Sequence, residues 1–376
     1  MIQFQLESDK ALFADSLKFA EKQVKGLIEK HPDFYPMYTQ DGKWKHDGPA
    51  WTHWCDGFLP GMMWMFHRSE LARGGEDAEY WKKQAIRYST PLEPRKNDRD
   101  VHDLGFIFIS TYYRWFKLDP NSAKLNDVLV QAGRTLAMRF KEKGQYLRSF
   151  VSEDSLFIDI MMNVPIIFYA ARETNDKALR DIAMRHTLTS RRVLVRGDGS
   201  TAHEGLFDLE SGEFLKQTTH QGFRGDSCWS RGLAWALYGF GTCYEYSRDP
   251  RFLHTAEQCT DYFITHTPAN GVPPWDFNAG PENRKQVDTS AAAIAACGMM
   301  RLARIHHDPV KCHFYWTTGL RILRTLCQEY LGKDKGWEGI LNGGVYHIHK
   351  DLGVNESVMW GEHFFVEALE HALNHL

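Results

Sequence analysis

Asp159 is the residue of this chain whose neighbours suit it least. It lies in SLFIDIMMNVPIIFYA, with Leu156, Phe157 and Ile158 before it and Ile160, Met161 and Met162 after it. Read as an apolar helix over 155–173, the stretch puts its carboxylate on one face with Ser155 at i−4 and Asn163 at i+4. Burial disfavours the charged form, so the sequence predicts a raised pKa and a carboxyl that can donate a proton near neutrality and take it back. A buried acceptor or helix cap is the plain alternative, but burying a carboxylate without a partner is costly. Asp103, behind His102, opens a second apolar segment. A cap accounts for it simply, yet two carboxylates facing one mouth form the pair that glycosidic-bond chemistry commonly uses.

A second group lies in Thr219–Trp235, THQGFRGDSCWSRGLAW. Indole, imidazole, amide and guanidinium are mixed there more densely than in a core segment. The mixture suits a groove that stacks a flat ring on Trp229 and Trp235 and fixes its polar groups with His220, Gln221 and Arg231. The alternative is a Gly-rich connection into a helix from Cys228, with both indoles buried. His203, after the turn Arg196-Gly197-Asp198-Gly199, gains interest from this neighbourhood. His306-His307 and His347/His349 lack a carboxylate at ligand spacing, so no metal is expected. No phosphate-cradling glycine loop, nucleophile elbow or Cys/His constellation is present, and no cofactor is expected.

These residues need a frame. Helical periodicity dominates, with strand candidates only near Gln145–Phe150 and Gly344–His349. Segments with a charged face (8–30, 76–89, 120–142, 176–194, 249–267, 309–331) alternate with segments rich in aromatic and small residues (56–72, 103–117, 155–173, 228–246, 287–305, 359–373). Asp249-Pro250 and Asp308-Pro309 are sound helix starts. Twelve alternating helices predict an all-α fold, an (α/α)6 barrel of six helical hairpins forming one domain over 1–376; an open α-solenoid is the alternative. In a barrel the aromatic helices form the inner ring. Their N-termini converge on one mouth, with Trp54, Asp56, Asp103, Asp159, Trp229, Arg231, Asp288 and Glu362 around it. Capping is the ordinary account of Asp56, Asp288 and Glu362.

Composition excludes several classes. With 376 residues, a net charge of −3 and no Lys/Arg stripe, nucleic acid is not an expected partner. The 12 Trp and 15 Tyr favour a stacking site. No apolar run approaches the roughly 20 residues that span a bilayer. The seven scattered Cys include no C-x-x-C pair, which reads as free thiols in a reducing compartment. With no leader visible, the expectation is a cytoplasmic protein, or a periplasmic one if a leader has been removed. A monomer or weak homodimer is expected.

The chain resembles the unsaturated glucuronyl hydrolases of glycoside hydrolase family 88. The matching blocks run in order along nearly its whole length: WCDGFLPGMMW from Trp54, HDLGF from His102, IDIMMNVPIIFYAARET from Ile158 and SRRVLVRGDGSTAH from Ser190. THQGFRGDSCWSRGLAWALYGF from Thr219, VPPWDF from Val272, DTSAAAIAACG from Asp288 and MWGEHFFVEAL from Met359 complete the set. A sister group, the unsaturated rhamnogalacturonyl hydrolases of family 105, shares barrel and chemistry, but its corresponding block reads W-x-R-G-N-G-W. Here Trp229–Trp235 reads WSRGLAW, and His220-Gln221-Gly222 also sides with family 88.

The resemblance implies a hydrolase of lyase-made oligosaccharides that end in a 4,5-unsaturated uronic acid. Asp159 matches the acid and base that protonates C4 and helps water add at C5. Asp103 matches the second essential aspartate. His203, Gln221, Trp229, Arg231, Trp235 and Trp54 match substrate-contacting positions, and a bidentate pairing of Arg231 with the substrate carboxylate is inferred. A Ser-x-x-Ser-x-Lys sulfate cluster seen in some members is missing; Lys350, Lys333 or Lys335 are possible substitutes. Two other classes remain in view. A barrel epimerase of amino sugars would need several catalytic histidines near the axis, and a helical binding scaffold would leave its sugar unchanged.

Overall fold

The structure is a computed structural model that describes residues 2–46, 53–334 and 336–375, with side chains from residue 7; Lys335 lies outside the described residues. Helix starts follow from local chemistry. Asp176 accepts hydrogen bonds from the Ala178 and Leu179 N–H groups, Asp249 from Arg251 and Asp308 from Val310. Pro250 and Pro309 occupy first-turn positions where no N–H is missed.

The helices are α1 (Ile2–Lys30), α2 (Phe58–Arg73), α3 (Ala78–Ser89), α4 (Leu104–Ser110), α5 (Tyr112–Leu118), α6 (Ala123–Ala137) and α7 (Pro165–Thr174). They continue as α8 (Lys177–Leu194), α9 (Ser230–Ser247), α10 (Pro250–His266), α11 (Thr289–Ile305), α12 (Pro309–Glu329) and α13 (Met359–Leu373). α4 and α5 are halves of one helix, interrupted at Thr111, whose hydroxyl donates to the Ile107 carbonyl. Twelve helices therefore remain among the described residues.

α2, α4, α7, α9, α11 and α13 pack side by side, and α13 returns to α2, so the inner ring closes. α3, α6, α8, α10 and α12 each back the inner helix that precedes them, while α1 backs α13. The chain forms an (α/α)6 barrel, and the solenoid alternative falls because the ring has no open edge. Inner helices are buried all round: in α9, Ser230 through Tyr244 are all buried. Outer helices bury one stripe only. Two glycines show how tightly the ring is drawn. A Cβ on Gly105 would stand 2.4 Å from Asn163 Cα, and one on Gly239 would stand 2.5 Å from the Met161 carbonyl oxygen.

The segment 155–173 is not one helix. Ser155–Phe157 is a strand, Ile158–Met162 is a 3-10 turn and only Pro165–Thr174 is α-helix. The reason is pairing: Ser155–Phe157 joins Glu204–Phe207, which pairs in turn with Phe214–Thr218, in a three-stranded antiparallel sheet. That sheet was not expected. Of the two strand candidates, Tyr146–Leu147 and Gly344–His347 form. None of the described helices is long and apolar enough to cross a membrane.

Candidate active site

A cavity of about 880 Å³, measured with its open mouth, sits on the N-terminal side of the inner helices. Trp54, Asp103, Asp159, His220, Gln221 and Arg231 line it together, joined by His102, Phe106, Phe150, Phe157, Tyr346, His347 and Lys350. Two blocks distant in sequence thus share a wall. Asn163 ties them: its Oδ1 accepts from the Phe106 N–H at 2.8 Å, and its amide donates to the Asp159 carbonyl at 3.1 Å. Asn163 therefore fixes the Asp103-bearing helix start against the Asp159-bearing turn, and Gly105 makes room for the contact. Ser155 does not share this face. Its hydroxyl turns away to Glu204 and Ser149.

Asp103 is buried at the start of α4, yet its side chain makes no capping hydrogen bond. Its Oδ1 stands 3.3 Å from His102 Nε2. Capping does describe Asp288, which accepts from the Ser290 and Ala291 N–H groups. Asp56 pairs with Arg95 instead, and Glu362 accepts from the Ile340 and Leu341 N–H groups. Asp103 is the one of these acids that both lacks a cap bond and faces the cavity.

Asp159 faces His203, with 3.4 Å between Oδ2 and Nε2, and neither atom has a well-aligned hydrogen bond. The tautomer of His203 follows from its other side. Nδ1 accepts from the His220 N–H at 3.1 Å and the Gln221 N–H at 3.3 Å, so the ring proton lies on Nε2 and points at the carboxylate. Burial pushes the Asp159 carboxyl up, but contact with His203, then His102 and Arg231, pulls it further down, and its pKa lies below the ordinary carboxylate value. The expected rise considered burial alone; three nitrogen-bearing side chains reverse it. His102 is neutral by comparison: burial holds it down at about 3, and its Nδ1 accepts from the Phe150 N–H.

Arg231 is buried, its guanidinium 4.5 Å from the centre of the Trp229 ring and 4.9 Å from that of Trp360. Its terminal nitrogens donate to the Gln221 side chain at 2.5 Å, to the Tyr346 carbonyl at 3.0 Å and to the Val345 carbonyl. Asp288 lies 3.5 Å away. Only Nε lacks a partner among the described residues. The bidentate grip on a substrate carboxylate is thus not available, because both terminal nitrogens already hold the wall together. Arg231 instead orients the Gln221 amide and adds positive charge behind Asp159.

Both tryptophans of Thr219–Trp235 are also misplaced by the sequence reading. Trp235 is fully buried between Phe106 and Phe364, behind the cavity wall. Trp229 is 3% exposed and packs on His203 and Arg231. Neither can stack on a ligand, because helical spacing turns Trp235 one layer inward and Trp229 caps α9. Trp54, Phe150, Phe157 and Tyr346 supply the aromatic surface instead. The loop 219–229 is held by Asp276, which accepts from the Phe223 N–H at 2.8 Å and the Ser227 hydroxyl at 2.7 Å. Phe150 and Val151 were missed, since nothing local sets them apart until the chain folds back. Of the lysines considered for sulfate, Lys350 lines the cavity and Lys333 is surface-exposed.

Four histidines, His102, His203, His220 and His347, stand at or beside the cavity, the feature an epimerase would need. Two of them have one ring nitrogen fixed as an acceptor from backbone N–H, and the partly buried Asp159 carboxylate stands among them. Among the described residues no group of three or more His, Cys, Asp or Glu side chains is arranged to hold a metal.

A closed α/α barrel with two aspartates, one buried and one partly buried, at an aromatic, concave mouth is the frame of a glycosidase. The comparisons agree with the frame. The model of Glycosyl Hydrolase Family 88 matches residues 20–271, and the chain belongs to that family. The unsaturated chondroitin disaccharide hydrolase of Streptococcus pyogenes serotype M1 is 32% identical over 364 residues, covering 94% of this chain and 89% of the relative. The solved structure of an unsaturated glucuronyl hydrolase from Bacillus sp. GL1, described as responsible for the degradation of glycosaminoglycan, aligns with a TM-score of 0.86 at 26% identity, over 95% of this chain and 96% of that one. An aspartate-to-asparagine mutant of the Streptococcus agalactiae enzyme, complexed with dGlcA-GalNAc6S, aligns with a TM-score of 0.82 at 27% identity, over 97% and 92%. Being a family 88 barrel, the protein is a glycoside hydrolase.

Proposed function

We propose that this chain hydrolyses lyase-generated oligosaccharides of the glycosaminoglycan type, releasing the terminal 4,5-unsaturated glucuronic acid. The observation that carries the reading is a pair of aspartates, the partly buried Asp159 and the buried Asp103, on one wall of a family 88 cavity. The relatives' names support the substrate class.

Asp159 delivers a proton to C4 of the vinyl ether, and water adds its oxygen at C5 while returning a proton to the carboxylate. The hemiketal then collapses, freeing the neighbouring sugar and an open-chain keto uronate. The anomeric carbon is not attacked, so carboxylate spacing does not forecast stereochemistry here. Asp159 must be protonated to act, although its neighbours favour the charged form. A substrate carboxylate in the same cavity opposes the pull of Arg231 and displaces water, and both effects raise the pKa of the acid on binding. Asp103, beside neutral His102, holds ring hydroxyls. Gln221 presents an amide locked by Arg231, and Trp54 covers one sugar face. His203 holds the acid in orientation. The seven unpaired cysteines suit a cytoplasmic protein.

The test is loss of the conjugated-alkene absorbance when the protein meets lyase-made chondroitin and hyaluronan disaccharides, with release of the neighbouring sugar. Tight binding without absorbance loss would leave a binding scaffold as the correct reading.

A further inference from the structure

Glu204 begins the central strand of the three-stranded sheet, paired with Phe157 on one side and Thr218 on the other. Its backbone is thereby fixed, and the residue is 3% exposed. One carboxylate oxygen accepts from the Ser155 hydroxyl, which in turn receives the Ser149 hydroxyl at 2.8 Å. The other lies 3.2 Å from His220 Nε2. Among the described residues no other cation is paired with this carboxylate, and burying a charge is tolerated only with a partner.

His220 is the exposed end of that pair. Its side chain is 46% exposed and lines the cavity beside Lys350, with the Phe157 ring 5.4 Å away and that of His203 6.2 Å away. With Nε2 engaged by Glu204, Nδ1 has no partner among the described residues. We propose that Glu204 is a positioning residue that holds His220 as a cationic donor, whose second ring nitrogen receives an oxyanion of the bound sugar, carboxylate or sulfate. This rests on the substrate class proposed above.

The electrostatics agree with the geometry. The hydrogen bond that His220 donates to Glu204 raises the pKa of His220; burial and then Lys350 oppose it, and the net direction is upward. A raised histidine pKa means that the cation, and the stability it lends, are present at low pH and lost as pH rises through the folded value. Lys350 supplies a second charge for the same oxyanion.

The experiment is KM against pH for wild type, Glu204→Gln and Glu204→Asp, on sulfated and unsulfated unsaturated disaccharides. In wild type KM climbs as His220 loses its proton. In Glu204→Gln the climb begins about one pH unit lower, giving about tenfold higher KM at pH 7 with kcat within about twofold, and Glu204→Asp recovers part of the loss. An effect on unsulfated substrate assigns the oxyanion as carboxylate; one confined to sulfated substrate assigns it as sulfate. Identical KM–pH profiles for wild type and Glu204→Gln overturn the proposal. If Glu204→Gln does not fold, His220→Gln replaces it, and a KM that keeps its wild-type pH dependence there is equally fatal. A wild type inactive on every unsaturated disaccharide refutes the proposed function instead. The titration of the His220 ring, followed by NMR, then decides the role of Glu204: a lower midpoint in Glu204→Gln supports it and an unchanged one ends it.

Discussion

The two ends of the barrel use charge in opposite ways. At the mouth, inner-helix N-termini gather acids: Asp103, Asp159 and Asp288. At the base, the C-terminal halves of the same helices gather Arg68, Arg114, Lys117, Arg301 and Arg304 around a second cavity. Both choices complement the helix dipoles. The difference is in how the charges are partnered. At the base, Glu367 takes hydrogen bonds from Arg114 and the Tyr238 hydroxyl, Glu370 pairs with Arg68, and Glu245 with Arg301. Despite burial, Arg114 and the histidines His371 and His363 hold the Glu367 carboxyl well below the usual range. At the mouth, the Asp159 Oδ2 faces the edge of the His203 ring without a well-aligned bond. The base is an ion-paired network that closes the ring, whereas the mouth holds a carboxylate without a well-aligned hydrogen bond on Oδ2.

That contrast can be broken by substitution at either end. Asp159→Asn is expected to lower kcat by about 10³-fold or more, the scale of a lost general acid, while the melting temperature stays within a few degrees. An Asn variant with near-native turnover removes Asp159 from its role. Arg114→Met should do the reverse. It strands Glu367 in the base and should destabilise the fold by about 3–5 kcal/mol in denaturant titration, with kcat of the folded fraction unchanged. Loss of kcat without loss of stability would mean that the base is coupled to the chemistry. The smallest effect separates wall from interior: Trp54→Ala should raise KM by about tenfold, whereas Trp235→Phe should lower stability by about 1–3 kcal/mol and leave KM alone. A KM increase in Trp235→Phe would restore it to the ligand surface.

Much of this was legible along the chain. The alternation of charged-face and aromatic helices is a local property, and Asp-Pro starts mark where outer helices begin, so the barrel could be read from periodicity and caps. Asp159 also stood out locally, because a lone carboxylate among Ile and Met is costly wherever it is buried. What failed were properties that depend on partners brought from afar. The break of 155–173 into strand, turn and helix follows from pairing with Glu204–Phe207, whose two strand partners lie on either side of it in sequence. The direction of the Asp159 pKa depends on His203, 44 positions along the sequence numbering.

The sequence by itself determined the helical repeat, the family and the carboxylates available for chemistry, because composition and spacing act over a few turns of chain. Only the tertiary structure decided which groups of Thr219–Trp235 face the cavity. Folding turned Trp229 and Trp235 inward, spent the Arg231 guanidinium on Gln221 and two backbone carbonyls, and left Trp54, His220 and Gln221 on the wall. A side chain's exposure and its free hydrogen-bonding positions are set by what packs against it, and those neighbours come from other hairpins of the ring.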